Sequence, residues 1–307
     1  MSPSEFAEIR GALFRAYGFD AEERRLEDGA GFRTYALVRE RGTVPTLLVH
    51  GGLAEASVWA QMAGKLEGTV VVVDRPGCGL SDSIDYRGVD CRQHAVDWLR
   101  GVLDALGAPK VNLVGNSMGG YFCIAFAAAY PERVAQLLLP GAPAGLDKPL
   151  PLPLRLMGTP LLGRLLARGV PDLETFRARV LPMLVAHPER LPDDVLRVGL
   201  AAQRLPGVAL SSRTMVSRVS TLAGFRSELM LRSAIASSSV PTRFIWGTLD
   251  RFASPSSGHE LVSRMQHAEI EVLPGVGHMP QLEAPEAVAA GVNRAISGRI
   301  RPELESR

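Results

Sequence analysis

Val111-Asn112-Leu113-Val114-Gly115-Asn116-Ser117-Met118-Gly119-Gly120 reads as an apolar strand, a turn crowded with glycine, and the start of a helix rich in small residues (Ala125, Ala127, Ala128). A strand that turns this sharply into a helix forces its central residue into a strained conformation, so glycine is needed on both sides. The turn lifts the Ser117 hydroxyl clear of the sheet and aims the helix N-terminus at it, where partial positive charge favours a developing anion. The glycine spacing does not fit a dinucleotide fingerprint, and no Walker lysine follows.

Working outward, short β-branched runs alternate with helical segments, the pattern of a mostly parallel sheet covered by helices. Val44–Val49, Val70–Val73, Val111–Val114, Val134–Leu139, Thr242–Trp246 and Ile270–Leu273 read as strands buried on both faces. Arg24–Leu26 and Thr34–Arg39 alternate more and predict an antiparallel edge pair. Cys91–Leu106 carries Val96, Leu99, Leu103 and Leu106 on one helical stripe, and Ala284–Ile296 predicts a closing helix with Pro285 in its first turn. The alternation breaks between Ala144 and Ser239, where no clear strand appears and prolines punctuate helical patterns. The expected architecture is therefore an α/β core of residues 1–143 and 240–307, with residues 144–239 inserted after the sixth strand as a helical lid. In its leucine-rich opening, Leu156 and Leu165 are candidates for substrate contact.

Serine is a weak nucleophile and needs a base. His278 follows the last strand in Gly275-Val276-Gly277-His278-Met279-Pro280, on a loop able to reach the serine. His94 lies in a helix and His187, His259 and His267 in polar or lid segments, where a surface position is expected. A carboxylate must then hold the histidine tautomer. Asp250, in Trp246-Gly247-Thr248-Leu249-Asp250, follows a strand at the carboxyl end of the sheet, where open α/β folds bind ligands. Asp250 is the expected acid, and Asp147, after the preceding strand, is its competitor. His50-Gly51-Gly52-Leu53 ends another strand with a glycine-rich loop. The backbone amides of Gly52 and Met118 are the expected oxyanion donors, with Leu53 as a substitute for Gly52 and His50 in a structural role.

A formal charge of +2, with 46% hydrophobic and 21% charged residues, gives a chain able to bury a large core and offers no basic surface for nucleic acid. Cys78, Cys91 and Cys123 are odd in number and spaced for no metal site, which suits a reduced, cytoplasmic protein. Residues 1–10 lack a signal-peptide core, and no apolar run of about 18 residues suggests a membrane span.

The chain resembles the α/β-hydrolase superfamily over nearly all its length outside the lid. The matching motifs are His50-Gly51-Gly52, Asp74-Arg75-Pro76-Gly77-Cys78-Gly79-Leu80-Ser81, the elbow around Ser117, Trp246-Gly247-Thr248-Leu249-Asp250 and Gly275-Val276-Gly277-His278. The order Ser, Asp, His is the order of that fold. Ser117 stands where haloalkane dehalogenases and epoxide hydrolases have aspartate, which disfavours their chemistry. The elbow wording is similar to that of meta-cleavage-product hydrolases, although Met279 follows the histidine where that family commonly has tryptophan. The resemblance implies a hydrolase that needs no cofactor or metal and forms an acyl-enzyme on a small hydrophobic ester, lactone or thioester. Carbon–carbon bond hydrolysis, perhydrolase or cofactor-free lyase chemistry on the same triad, or a slow-turnover ligand receptor, stand as alternatives.

Overall fold

Four consecutive valines, Val70–Val73, form strand β4 and are all buried. Side chains alternate across a strand, so Val71 and Val73 enter one core layer and Val70 and Val72 the other. In β3 (Thr46–Val49) Leu47 and Val49 face the first layer and Leu48 the second. The computed structural model describes residues 1–42, 44–159, 163 and 169–298. Its main sheet has eight strands: β1 (Glu22–Glu27), β2 (Arg33–Arg39), β3, β4, β5 (Val111–Gly115), β6 (Val134–Pro140), β9 (Thr242–Gly247) and β10 (Ala268–Leu273). Their spatial order is β1-β2-β4-β3-β5-β6-β9-β10. β2 pairs antiparallel with both β1 and β4, and every other pairing in the sheet is parallel. This is the doubly wound α/β class expected from the sequence.

Helices cover both faces. α3 (Cys91–Ala105) and α4 (Met118–Ala129) pack on the layer of Leu47, where Trp98 meets Phe122 edge-on at 5.5 Å. Such a ring pair contributes about 0.5–1.5 kcal/mol beyond its burial. α1 (Pro3–Ala16), α2 (Ala60–Ala63) and the helix Pro285–Ile296 cover the opposite layer. α1 is absent from the sequence-based expectation, yet its start is written in Ser2-Pro3-Ser4-Glu5. The Ser2 hydroxyl accepts from the Glu5 amide and the Glu5 carboxylate accepts from the Ser2 amide, a reciprocal cap with Pro3 in the first turn. Burial fixes other boundaries: the strand expected from Val44 begins at Thr46, and Val44 is exposed.

Between β6 and β9 the described residues are mainly helical, including Leu152–Met157, Asp193–Ala202, Val208–Val219 and Arg232–Ala236. One feature corrects the expectation of no strand. β7 (Ser220–Thr221) and β8 (Gly224–Phe225) form a two-residue antiparallel pair. A strand of two residues is too short to leave any alternation in sequence. Among the described residues no helix is long and apolar enough to cross a membrane.

Candidate active site

Ser117 joins β5 to α4 with φ 53° and ψ −116°. It and Leu53 (φ 55°) are the two non-glycine residues with positive φ among the described residues, a strain of order 1–3 kcal/mol each. The surrounding glycines are steric necessities. A Cβ on Gly119 would sit 2.0 Å from the Val49 carbonyl oxygen, and one on Gly115 would sit 2.7 Å from the Gly119 backbone. Helix α4 can therefore begin hard against β3, bringing Ser117 to the loop that follows that strand.

That loop is Gly51-Gly52-Leu53. A Cβ on Gly51 would lie 3.3 Å from the Ser117 Cβ, and one on Gly52 would lie 3.5 Å from Met118 Cγ, so the two chain segments run side by side. Met118 opens α4, and its N–H is one of those with no acceptor inside the helix. The loop is braced from behind. Buried Arg75 donates through Nε to the His50 carbonyl (2.8 Å) and through Nη2 to that of Gly51 (2.7 Å). The Arg75 amide donates to His50 Nε2 at 2.9 Å, leaving His50 Nδ1 to donate to the Gly51 carbonyl at 2.8 Å. Burial, reinforced by Arg75, holds the His50 pKa well below its ordinary value. His50 is a neutral brace.

His278 is 2% exposed, and its Nδ1 lies 3.0 Å from both carboxylate oxygens of Asp250. Asp250 also accepts from the Ala142 amide on Oδ2 and the Phe252 amide on Oδ1, each at 2.9 Å. Burial alone would raise the Asp250 pKa; His278 and the two amides outweigh it and bring the carboxyl below its ordinary value. The imidazole Nε2 is buried and has no hydrogen-bond partner among the described residues. Asp147 points elsewhere, accepting from the Ser257 hydroxyl at 2.6 Å and facing Arg232 Nη1 at 3.4 Å.

Ser117, His278, Gly52 and Met118 all line one cavity of about 150 Å³, comparable with a void that admits a benzene-sized group. Its outer wall comes from the stretch between β6 and β9, with Leu154, Phe176, Met183, Met215, Val216 and Phe225. On the helix Leu152–Met157 it is Leu154, not Leu156, that reaches the cavity; Leu165 lies outside the described residues.

Residues 46–291 match a family model described as the alpha/beta hydrolase family. The chain belongs to that family. It is 31% identical over 276 residues to a 2-hydroxy-6-oxononadienedioate/2-hydroxy-6-oxononatrienedioate hydrolase of Burkholderia vietnamiensis, covering 85% of this chain and 90% of that protein. Among solved structures it is similar to a 2-hydroxy-6-oxo-6-phenylhexa-2,4-dienoate hydrolase from Rhodococcus, with TM-score 0.76, 24% identity and coverage of 90% and 99% of the two chains. It is also similar to a thermophilic esterase from Thermogutta terrifontis, with TM-score 0.70, 26% identity and coverage of 91% and 99%.

In this alpha/beta hydrolase several site contacts went unread in the sequence. Phe252 stacks on the His278 ring, with centroids 3.8 Å apart and planes at 18°. Asn116 Nδ2 donates to the carbonyls of Pro140 (2.8 Å) and His278 (3.0 Å), tying the elbow to the histidine loop. The asparagine beside the serine was the available signal, since a buried amide must find partners. His94 is not the surface residue expected. It sits edge-on between Tyr86 and Phe122, where burial lowers its pKa to about 4. His259 and His267 are exposed, as expected.

Proposed function

We propose that this enzyme is a serine hydrolase that cleaves a small hydrophobic carboxylic ester, lactone or thioester through an acyl-enzyme. The observation that carries the proposal is the His278 imidazole, bound to Asp250 through Nδ1 and bare at Nε2, on the cavity that Ser117 also lines. In the proposed cycle Ser117 Oγ attacks the carbonyl carbon while His278 Nε2 takes its proton. Asp250 keeps the Nδ1–H tautomer and stabilises the imidazolium. The amides of Gly52 and Met118 hold the oxyanion, the second at a helix N-terminus. His278 then protonates the leaving alkoxide or thiolate, and water, deprotonated by the same nitrogen, releases the acid. Residues 144–239 act as a cap domain over the core formed by residues 1–143 and 240–307.

An uncharged acyl group is favoured by the walls. Among the described lining residues the one cation is Arg75, whose Nε and Nη2 are committed to the His50 and Gly51 carbonyls and whose buried Nη1 alone has no partner, and Asp147 adds a negative charge to the lining. A substrate carboxylate buried without a partner would be costly. The second reading is hydrolysis of a carbon–carbon bond in a 2-hydroxy-6-oxo-dienoate, favoured by the activity for which the Burkholderia relative is named. Purified protein assayed on neutral aryl esters, lactones and a vinylogous diketone acid separates the two. A fluorophosphonate probe should label Ser117, and Ser117→Ala should lose both labelling and turnover. An adduct mapped to another serine, or turnover surviving in Ser117→Ala, would refute the mechanism.

A further inference from the structure

Glu283 closes the helix Pro280–Glu283, five residues beyond His278, and its carboxylate turns back onto the backbone of the His278 loop. Oε1 accepts from the amides of Ala186 (2.8 Å) and His187 (3.0 Å), and Oε2 accepts from the amide of Gly277 (2.7 Å). Two of these donors belong to the stretch inserted between β6 and β9, and the third immediately precedes His278. The same two segments meet again one residue on, where the His278 amide donates to the Leu184 carbonyl at 2.9 Å. Contact is close enough that a Cβ on Gly277 would lie 2.7 Å from the Ala186 nitrogen and 2.9 Å from Glu283 Oε2. Met183 and Leu184, just upstream, line the cavity.

We infer that Glu283 is a positioning residue that locks the His278 loop to the inserted stretch at residues 184–187. Imidazole geometry and closure of the cavity wall are then set together. The inference rests on the proposed role of His278 as the base. Charge-assisted bonds from backbone amides are strong and directional. Here one constrains the His278 loop and two the inserted stretch, in addition to the bonds that tie Gly275 and Val276 to the residues after β9. Removal of the carboxylate frees Gly277 from one side and Ala186 and His187 from the other, leaving the imidazole to be aimed by Asp250, Phe252, Asn116 and Leu184. Glutamine cannot replace it. Its amide nitrogen either meets the Gly277 N–H or meets both N–H groups of the inserted stretch, donor against donor.

The test compares Glu283→Gln and Glu283→Asp with the wild-type enzyme. In Glu283→Gln, kcat on a short-chain p-nitrophenyl ester should fall about 10²-fold with a smaller change in KM, the scale set by small misplacement of a reacting group. The downfield Nδ1–H proton of His278, followed by NMR in histidine-labelled protein, should broaden or vanish while the thermal melt stays cooperative. Glu283→Asp, which keeps the charge and both acceptors, should recover part of the loss. A folded Glu283→Gln enzyme with the proton signal intact and kcat within about twofold of wild type would overturn the inference. If neither variant folds, amide exchange in the wild-type protein decides it. The amides of Ala186, His187 and Gly277 should open in one event, and independent exchange of Gly277 would refute the lock. Absence of fluorophosphonate labelling at Ser117 in the wild type would instead count against the proposed reaction, and the proton and exchange measurements would still judge Glu283.

Discussion

Replacing Asp250 with asparagine keeps the side chain's volume and removes its charge, in a position where every acceptor is in use. His278 Nδ1 is 3.0 Å from both oxygens, Oδ2 takes the Ala142 amide and Oδ1 takes the Phe252 amide. Whichever way the asparagine turns, its NH₂ meets a backbone N–H. A buried donor left unsatisfied costs about 1–3 kcal/mol, so the melting temperature should fall while the protein remains folded. The larger effect falls on catalysis. An amide nitrogen facing Nδ1 favours the tautomer with its proton on Nε2, which cannot accept one from serine. Loss of the carboxylate in a serine triad lowers kcat by up to about 10⁴, so Asp250→Asn should lower it by on the order of 10²–10⁴, or about 3–5 kcal/mol of barrier. The change in KM should be much smaller. Asp147→Asn is the control. That carboxylate holds Ser257 and Arg232 and does not meet the imidazole, so kcat should change less than about tenfold. The assay is steady-state turnover of a saturating aryl ester, with a thermal melt on each variant. A well-folded but crippled Asp147→Asn beside a nearly normal Asp250→Asn would show the reasoning to be wrong.

Two further outcomes follow from the geometry. Leu154→Ala removes part of the cavity wall supplied by the inserted stretch, so KM for a long-chain acyl ester should rise roughly tenfold while probe labelling of Ser117 keeps its rate; equal KM changes across all chain lengths would argue against acyl contact there. Glu55 is buried beside Asp74 and Arg10, and burial, then Asp74, push its pKa up to about 7 against the pull of Arg10. The folded state therefore keeps a proton that the unfolded chain releases from its ordinary 4.5 upward, so this group's contribution makes stability decline as pH rises from about 4.5 to about 7 and level off above. Glu55→Gln should flatten that decline in denaturant melts across the window, and parallel declines in both proteins would place its origin elsewhere.

The strands and the elbow were legible because each obeys a local rule. Val70–Val73 is apolar at every position because both faces are covered, and Gly115 and Gly119 flank a residue that must adopt positive φ. α1 was equally legible through its Ser2–Glu5 cap but passed unread. Position 94 shows the limit of such rules, since a histidine off the apolar stripe of its helix became half-buried once Tyr86 and Phe122 closed around it. Glu283 shows it again, because nothing local marks a carboxylate whose three partners lie at residues 186, 187 and 277.

The sequence by itself determined the alternating sheet, the strained serine turn and the order of the three candidate catalytic residues, since periodicity, glycine placement and chain order are properties of neighbours along the chain. Only the tertiary structure decided which aspartate faces His278, that Leu154 rather than Leu156 lines the cavity, and how Arg75 and Asn116 brace the site. Asp250 and Asp147 each follow a strand at the same end of the sheet and differ little locally. The distinction is a distance, 3.0 Å to the imidazole for one and a bond to Ser257 for the other, and distances between segments 28 or 110 residues apart exist only once the sheet has brought them together.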